Sequence, residues 1–94
     1  MRLVRKYPLS LQKEQVVALP IGAYVLQCRE IGDQAFIFAM VSPDAPVVEC
    51  TVRMFETGEE FQEWSESEPD GFKGDYYGSV IIAGREYHFV REVK

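Results

Sequence analysis

Among the 94 residues, the side chains that carry acid, base, nucleophilic or metal-binding chemistry include one histidine, two cysteines and fifteen carboxylates. His88 lies in Arg85-Glu86-Tyr87-His88-Phe89-Val90. In a strand, residues two apart share a face, so Glu86 and Val90 flank His88 while Tyr87 and Phe89 point the other way. A general base needs a proton donor within reach and a partner to orient it. The sequence offers no Gly-x-Ser-x-Gly elbow, and Gly71, Gly74 and Gly78 are too widely spaced to cradle a phosphate. His88 therefore reads as a hydrogen-bonding residue of a strand. Cys28 and Cys50 form no Cys-x-x-Cys and lie far from His88 in sequence, so they read as small apolar side chains of the interior. The expectation is a protein without enzymatic activity, resident metal or cofactor.

The carboxylates are concentrated. Residues 56–75 hold eight of the fifteen acids and one of the ten basic residues, Lys73. Such a segment has three uses. It can be a solvated loop. It can imitate the charge spacing of nucleic acid and block a basic groove on a host protein, its long-range field speeding the encounter. It can bind calcium, for which Glu-Ser-Glu-Pro-Asp-Gly has the wrong ligand offsets. The second use makes Glu59, Glu60, Glu63, Trp64, Glu66, Glu68 and Asp70 the candidate partner-binding residues, with the strand face Glu49, Thr51 and Arg53 beside them. Thr57 precedes Glu60 by three in a capping-box arrangement, so Glu59 to Ser65 is expected to form one or two helical turns, followed by an exposed loop.

A second constellation has the opposite sign. Arg53 with Tyr76, Tyr77 and His88 can hold a small anionic nucleotide, the guanidinium gripping phosphate and the rings stacking on a base. Placed between subunits of a homo-oligomer, these residues would make a sponge for a nucleotide signal. Salt bridges and core packing account for the same residue types equally well.

Short strands must position these groups. Runs rich in Val, Ile, Tyr, Phe and Thr, punctuated by Gly, Pro and Asp, recur along the chain: 3–7, 16–19, 23–30, 35–41, 47–55, 76–83 and 86–93. Pro20-Ile21-Gly22 reads as a turn, and 31–34 as a hairpin loop. In 47–55 the alternation sets Val48, Cys50, Val52 and Met54 on a core face and Glu49, Thr51 and Arg53 on the other. The pattern predicts one all-β domain over 1–94, a small antiparallel β-sandwich or barrel of about seven strands with one short helical or loop insert.

Composition narrows the setting. No run approaches the 18 or so apolar residues of a membrane span, and Tyr7-Pro8 interrupts any signal-peptide core, so a cytoplasmic protein is expected. The formal charge of −5 argues against general nucleic-acid binding. Outside residues 56–75 the balance is nine basic against seven acidic residues, so the scaffold itself is close to neutral.

Read in order, Lys6-Tyr7-Pro8-Leu9, the turn around Leu19-Pro20-Ile21-Gly22-Ala23, Phe38-Ala39-Met40-Val41, Arg53-Met54-Phe55-Glu56-Thr57-Gly58, Tyr77-Gly78-Ser79 and His88-Phe89-Val90-Arg91-Glu92 span nearly the whole chain. This order resembles a family of short bacteriophage and prophage proteins with a KYPL start, an LPxGA turn, an RxFxTG segment, a YxGT strand and an HVFE-like end, catalogued as a domain of unknown function. The family more often has Leu-Trp where Ile37-Phe38 stand, and a shorter segment after Thr-Gly. The resemblance implies a phage origin and no activity. By analogy with other small phage proteins, the chain is expected to antagonise a host defence or regulatory protein by stoichiometric occupation, the nucleotide sponge being the alternative.

Overall fold

The computed structural model describes residues 1–58 and 74–92. These form seven strands: β1 Leu3–Leu9, β2 Glu14–Pro20, β3 Tyr24–Ile31, β4 Gln34–Val41, β5 Val47–Glu56, β6 Gly74–Ile82 and β7 Arg85–Glu92. All pairings are antiparallel, in a three-stranded sheet of order β1-β4-β3 and a four-stranded sheet of order β2-β5-β7-β6. The all-β class expected from the strand rhythm is the one observed. A shortest dimension of 17 Å fits two layers whose backbones stack about 10 Å apart, which makes the arrangement a sandwich. The expected helix over Glu59 to Ser65 and the seven acid-segment residues Glu59, Glu60, Glu63, Trp64, Glu66, Glu68 and Asp70 lie outside the described residues. No helix among the described residues is long and apolar enough to cross a membrane.

Period-2 patterning decides which residues form the core. Along β4, Ala35, Ile37, Ala39 and Val41 are buried while Phe36, Phe38 and Met40 are half-buried on the opposite face. On β5, Cys50, Val52 and Met54 are buried and Val48 packs against them, as the alternation requires. Leu9, Val17, Leu19, Tyr77, Val80, Ile82 and Phe89 complete the layer between the sheets. Cys28 and Cys50 are both buried free thiols within it. Burial, with the nearby Glu30 carboxylate adding to it, pushes the Cys28 thiol up to about 12.

Local turn chemistry sets the connections. Ala23 N–H donates to the Pro20 carbonyl at 3.1 Å, and Gly22 takes φ +80°, the i+2 geometry of a type II turn after a proline. The β6–β7 hairpin turns through Ala83 and Gly84, both with positive φ, as a two-residue type I′ turn demands. Ala83, at +53°, is the one non-glycine described residue in the left-handed region.

The two sheets meet at a corner where β3 runs beside β6 without a hydrogen-bonded ladder between them. Each strand carries a bulge there, between Val25 and Gln27 on β3 and between Tyr76 and Gly78 on β6. A bulge bends its strand and adds local twist, so a facing pair turns the corner that flat strands could not. The contact is close: a Cβ built on Gly78 would lie 2.9 Å from Cys28 Cβ and 3.2 Å from Cys28 N. Gly78 is held at φ +136°, so this position requires glycine for both its backbone angle and its space. One polar clamp crosses the corner, from Ile81 N–H to the Glu30 carboxylate at 2.9 Å. Accepting this bond holds the Glu30 carboxyl below its ordinary value.

Candidate functional site

The outer face of the four-stranded sheet collects the titratable groups. His88 on β7 is central. The Thr57 hydroxyl donates to Glu86 Oε1 at 2.8 Å. That hydroxyl has only one proton, so the 2.7 Å contact between Thr57 Oγ1 and His88 Nε2 must run from the imidazole to the oxygen. In the neutral imidazole Nδ1 is then the acceptor for the Tyr76 hydroxyl at 2.8 Å. The result is a directed chain, Tyr76 to His88 to Thr57 to Glu86, that satisfies the Nε2–H tautomer at both ring nitrogens. Backbone geometry supports it, because Thr57 N–H also donates to the Glu86 carbonyl at 3.1 Å. The Tyr76 and His88 rings lie 5.9 Å apart and are tilted by 36°. The reading of His88 as a structural hydrogen-bonding residue matches this geometry: its one acceptor nitrogen is taken, so it cannot draw a proton from Thr57 in this arrangement.

The four residues assigned to nucleotide binding are distributed differently. Tyr76 and His88 touch. Tyr77, the extra residue of the β6 bulge, turns into the core beside Gly78. Its hydroxyl is hydrogen-bonded to Arg91 and burial raises it to about 12, so it is neutral at ordinary pH. Arg53 lies between two carboxylates, Glu14 on β2 at 3.4 Å and Glu92 on β7 at 3.3 Å, with its side chain only 19% exposed. It braces three strands, and its charge is already matched. Of the proposed contact face, Glu49 is exposed, whereas Thr51 and Arg53 are half-buried.

Two features were not singled out from sequence. The first is a groove of about 360 Å³ at the β3–β6 corner, walled by Tyr24, Val25, Asp75, Tyr76 and Tyr77. Tyr24 is 65% exposed and Tyr76 58% exposed. The second is the outer face of the three-stranded sheet. There Phe36, Phe38 and Met40 of β4 stand between Val4 and Lys6 of β1 and Tyr24 and Arg29 of β3. The Lys6 ammonium sits 4.9 Å from the Phe36 ring centre, and the Arg29 guanidinium 4.7 Å from that of Phe38. These cations lie over rings that would otherwise face water, using their aliphatic stems as cover and the ring quadrupole as a partner. The alternation of β4 is the signal that could have shown an outward aromatic row. Which cations cover it depends on strand order.

A family model, domain of unknown function DUF7352, matches residues 1–94. The chain belongs to that family. No curated protein and no solved structure matches it.

Proposed function

We propose that the chain is a non-enzymatic binding domain that antagonises a host defence or regulatory protein by stoichiometric occupation. The observation that carries the reading is the saturated chain from Tyr76 through His88 and Thr57 to Glu86: the histidine is consumed internally, while Tyr24, Tyr76 and Asp75 beside it stay open to solvent. Large exposed aromatics next to a carboxylate suit recognition, where rigid rings supply contact area at low entropic cost. The acid-rich run continues in sequence into β6, so a partner with a basic surface would meet the carboxylates and the tyrosines together. The host setting rests on the resemblance to phage proteins, and the cytosolic location on the apolar patterning of the sequence.

The nucleotide sponge is the second reading, favoured by the Tyr76–His88 contact and weakened by the two carboxylates that engage Arg53. One experiment separates the two. Tagged wild-type chain and a variant lacking Glu59 to Gly71 are used to capture partners from host lysate, with gel filtration and mass analysis of any small molecule released on denaturation. Occupation predicts a saturable one-to-one protein complex that the deletion abolishes without changing the melting temperature. A nucleotide released from an oligomer, or capture that the deletion leaves intact, overturns it.

A further inference from the structure

From the walls of the corner groove we infer that it is a binding site for a cationic group, the guanidinium or ammonium of a basic side chain. Three observations converge. Among the described residues, Asp75 is the only charged one in the wall, and no ion pair among them reaches it. Arg91, its cross-strand neighbour, gives its side-chain hydrogen bond to Tyr77 and is not part of the wall. The rims are aromatic. Tyr24 comes from β3 and Tyr76 from β6, both more than half exposed, and the faces of such rings attract cations electrostatically. Finally, the site is preorganised: the Tyr76 hydroxyl is tied to His88, which is itself tied to Thr57, so the ring is held before any ligand arrives. An anion placed here would meet the Asp75 carboxylate instead of a free arginine.

The size agrees with this class. About 360 Å³ is at the small end of ligand sites, room for one planar or compact head group with its aliphatic stem along Val25. The biological occupant, a basic side chain presented by a partner protein, rests on the binding reading above. The cation preference of the groove does not, and it is tested without a partner.

The probe is N-acetyl-arginine amide, titrated into the full chain while the ring resonances of Tyr24 and Tyr76 are followed by NMR. Tetramethylammonium serves as a second cation, AMP as an anionic aromatic control. The expected result is saturable shifts at both rings with a dissociation constant in the millimolar range, tighter for arginine amide than for AMP. Asp75→Asn should weaken arginine amide by about five-fold or more, and Tyr24→Ala should abolish saturation, while Asp33→Asn, at the remote β3–β4 turn, leaves it unchanged. Thermal melts of each variant confirm that the fold is kept; Tyr24 and Asp75 are exposed, so small changes are expected. Absence of saturation with either cation, equal binding by Asp75→Asn, or tighter binding of AMP overturns the assignment. If the probe binds and lysate capture fails, the groove stands and the occupation reading falls; the reverse outcome removes only the groove.

Discussion

Gly78→Ala is the sharpest test of the corner between the sheets. The added methyl would stand 2.9 Å from Cys28 Cβ and 3.2 Å from Cys28 N, and neither atom is the free end of a flexible side chain. Cys28 is buried in the core, so relief requires moving β3 or β6. Overpacking of this kind costs about 1–3 kcal/mol. Holding alanine at φ +136° adds roughly 1–3 kcal/mol of backbone strain. Together these come to about 2–6 kcal/mol, against a total stability of roughly 5–14 kcal/mol for a chain of this length. At about 4–8 °C per kcal/mol, even the lower figure lowers the melting temperature by roughly 8 °C or more. Circular dichroism melts and urea titrations measure it, with Gly22→Ala as the control: Gly22 also has positive φ but nothing within 4 Å of an added Cβ, so only about 1–2 kcal/mol is expected. A second arm uses Cys28→Gly. Removing that Cβ should make Gly78→Ala cheaper, giving a coupling of about 1 kcal/mol in a double-mutant cycle. The reasoning is refuted if Gly78→Ala melts with Gly22→Ala, or if the two corner substitutions are additive.

Other expectations follow from single positions. Ala83→Asn should raise stability by about 0.5–1 kcal/mol in thermal melts, because asparagine tolerates the left-handed angle that alanine holds at +53°. Tyr7→Phe should leave stability unchanged or raise it by about 1 kcal/mol in the same assay, since the Tyr7 hydroxyl is buried without a hydrogen-bond partner among the described residues. Alkali should destabilise the fold. Cys28 and Tyr77 both have folded values raised to about 12, so their contribution is complete below the unfolded values and is lost as pH climbs towards 12; Cys28→Ala should flatten the upper part of a pH-stability curve. The Glu30 carboxyl behaves in the opposite sense: its folded value is lowered by the Ile81 amide, so its contribution is present above the unfolded value and fades as pH falls through the folded one. Carboxyl NMR should place its midpoint below that of an ordinary glutamate, and Glu30→Gln, which keeps an acceptor oxygen, should lose the acid dependence.

Strand positions were legible because period-2 alternation is local. Val48, Cys50, Val52 and Met54 could be assigned to the core without knowing what they pack against, and Pro20-Ile21-Gly22 carries its turn in its own residue types. Strand order was not legible. Arg53 is braced by Glu14 and Glu92, which lie 39 positions before and 39 after it and are brought together only when β2 and β7 flank β5. The same limit applied to the site. Tyr76 and His88, two of the four residues grouped as a nucleotide site, meet, whereas Tyr77 is the extra residue of the β6 bulge and lies in the core, because the bulge resets the alternation along the strand. Glu86 was visible as the period-2 neighbour of His88. Tyr24 was missed because it lies some fifty residues from Tyr76 and meets it only across a corner formed by two bulges, which alternation does not announce.

That corner has a mechanical consequence. Within each sheet, separating two strands breaks a row of backbone hydrogen bonds, so the sheets resist shear and spreading as units. Between β3 and β6 the described polar link is the one from Ile81 to Glu30, with Gly78 and Cys28 in van der Waals contact. The corner therefore acts as a seam, the line along which the layers can part by a small angle while every ladder stays intact. The tyrosine-rimmed groove lies on that seam, so the angle between the two layers sets the spacing of Tyr24 on β3 from Tyr76 on β6.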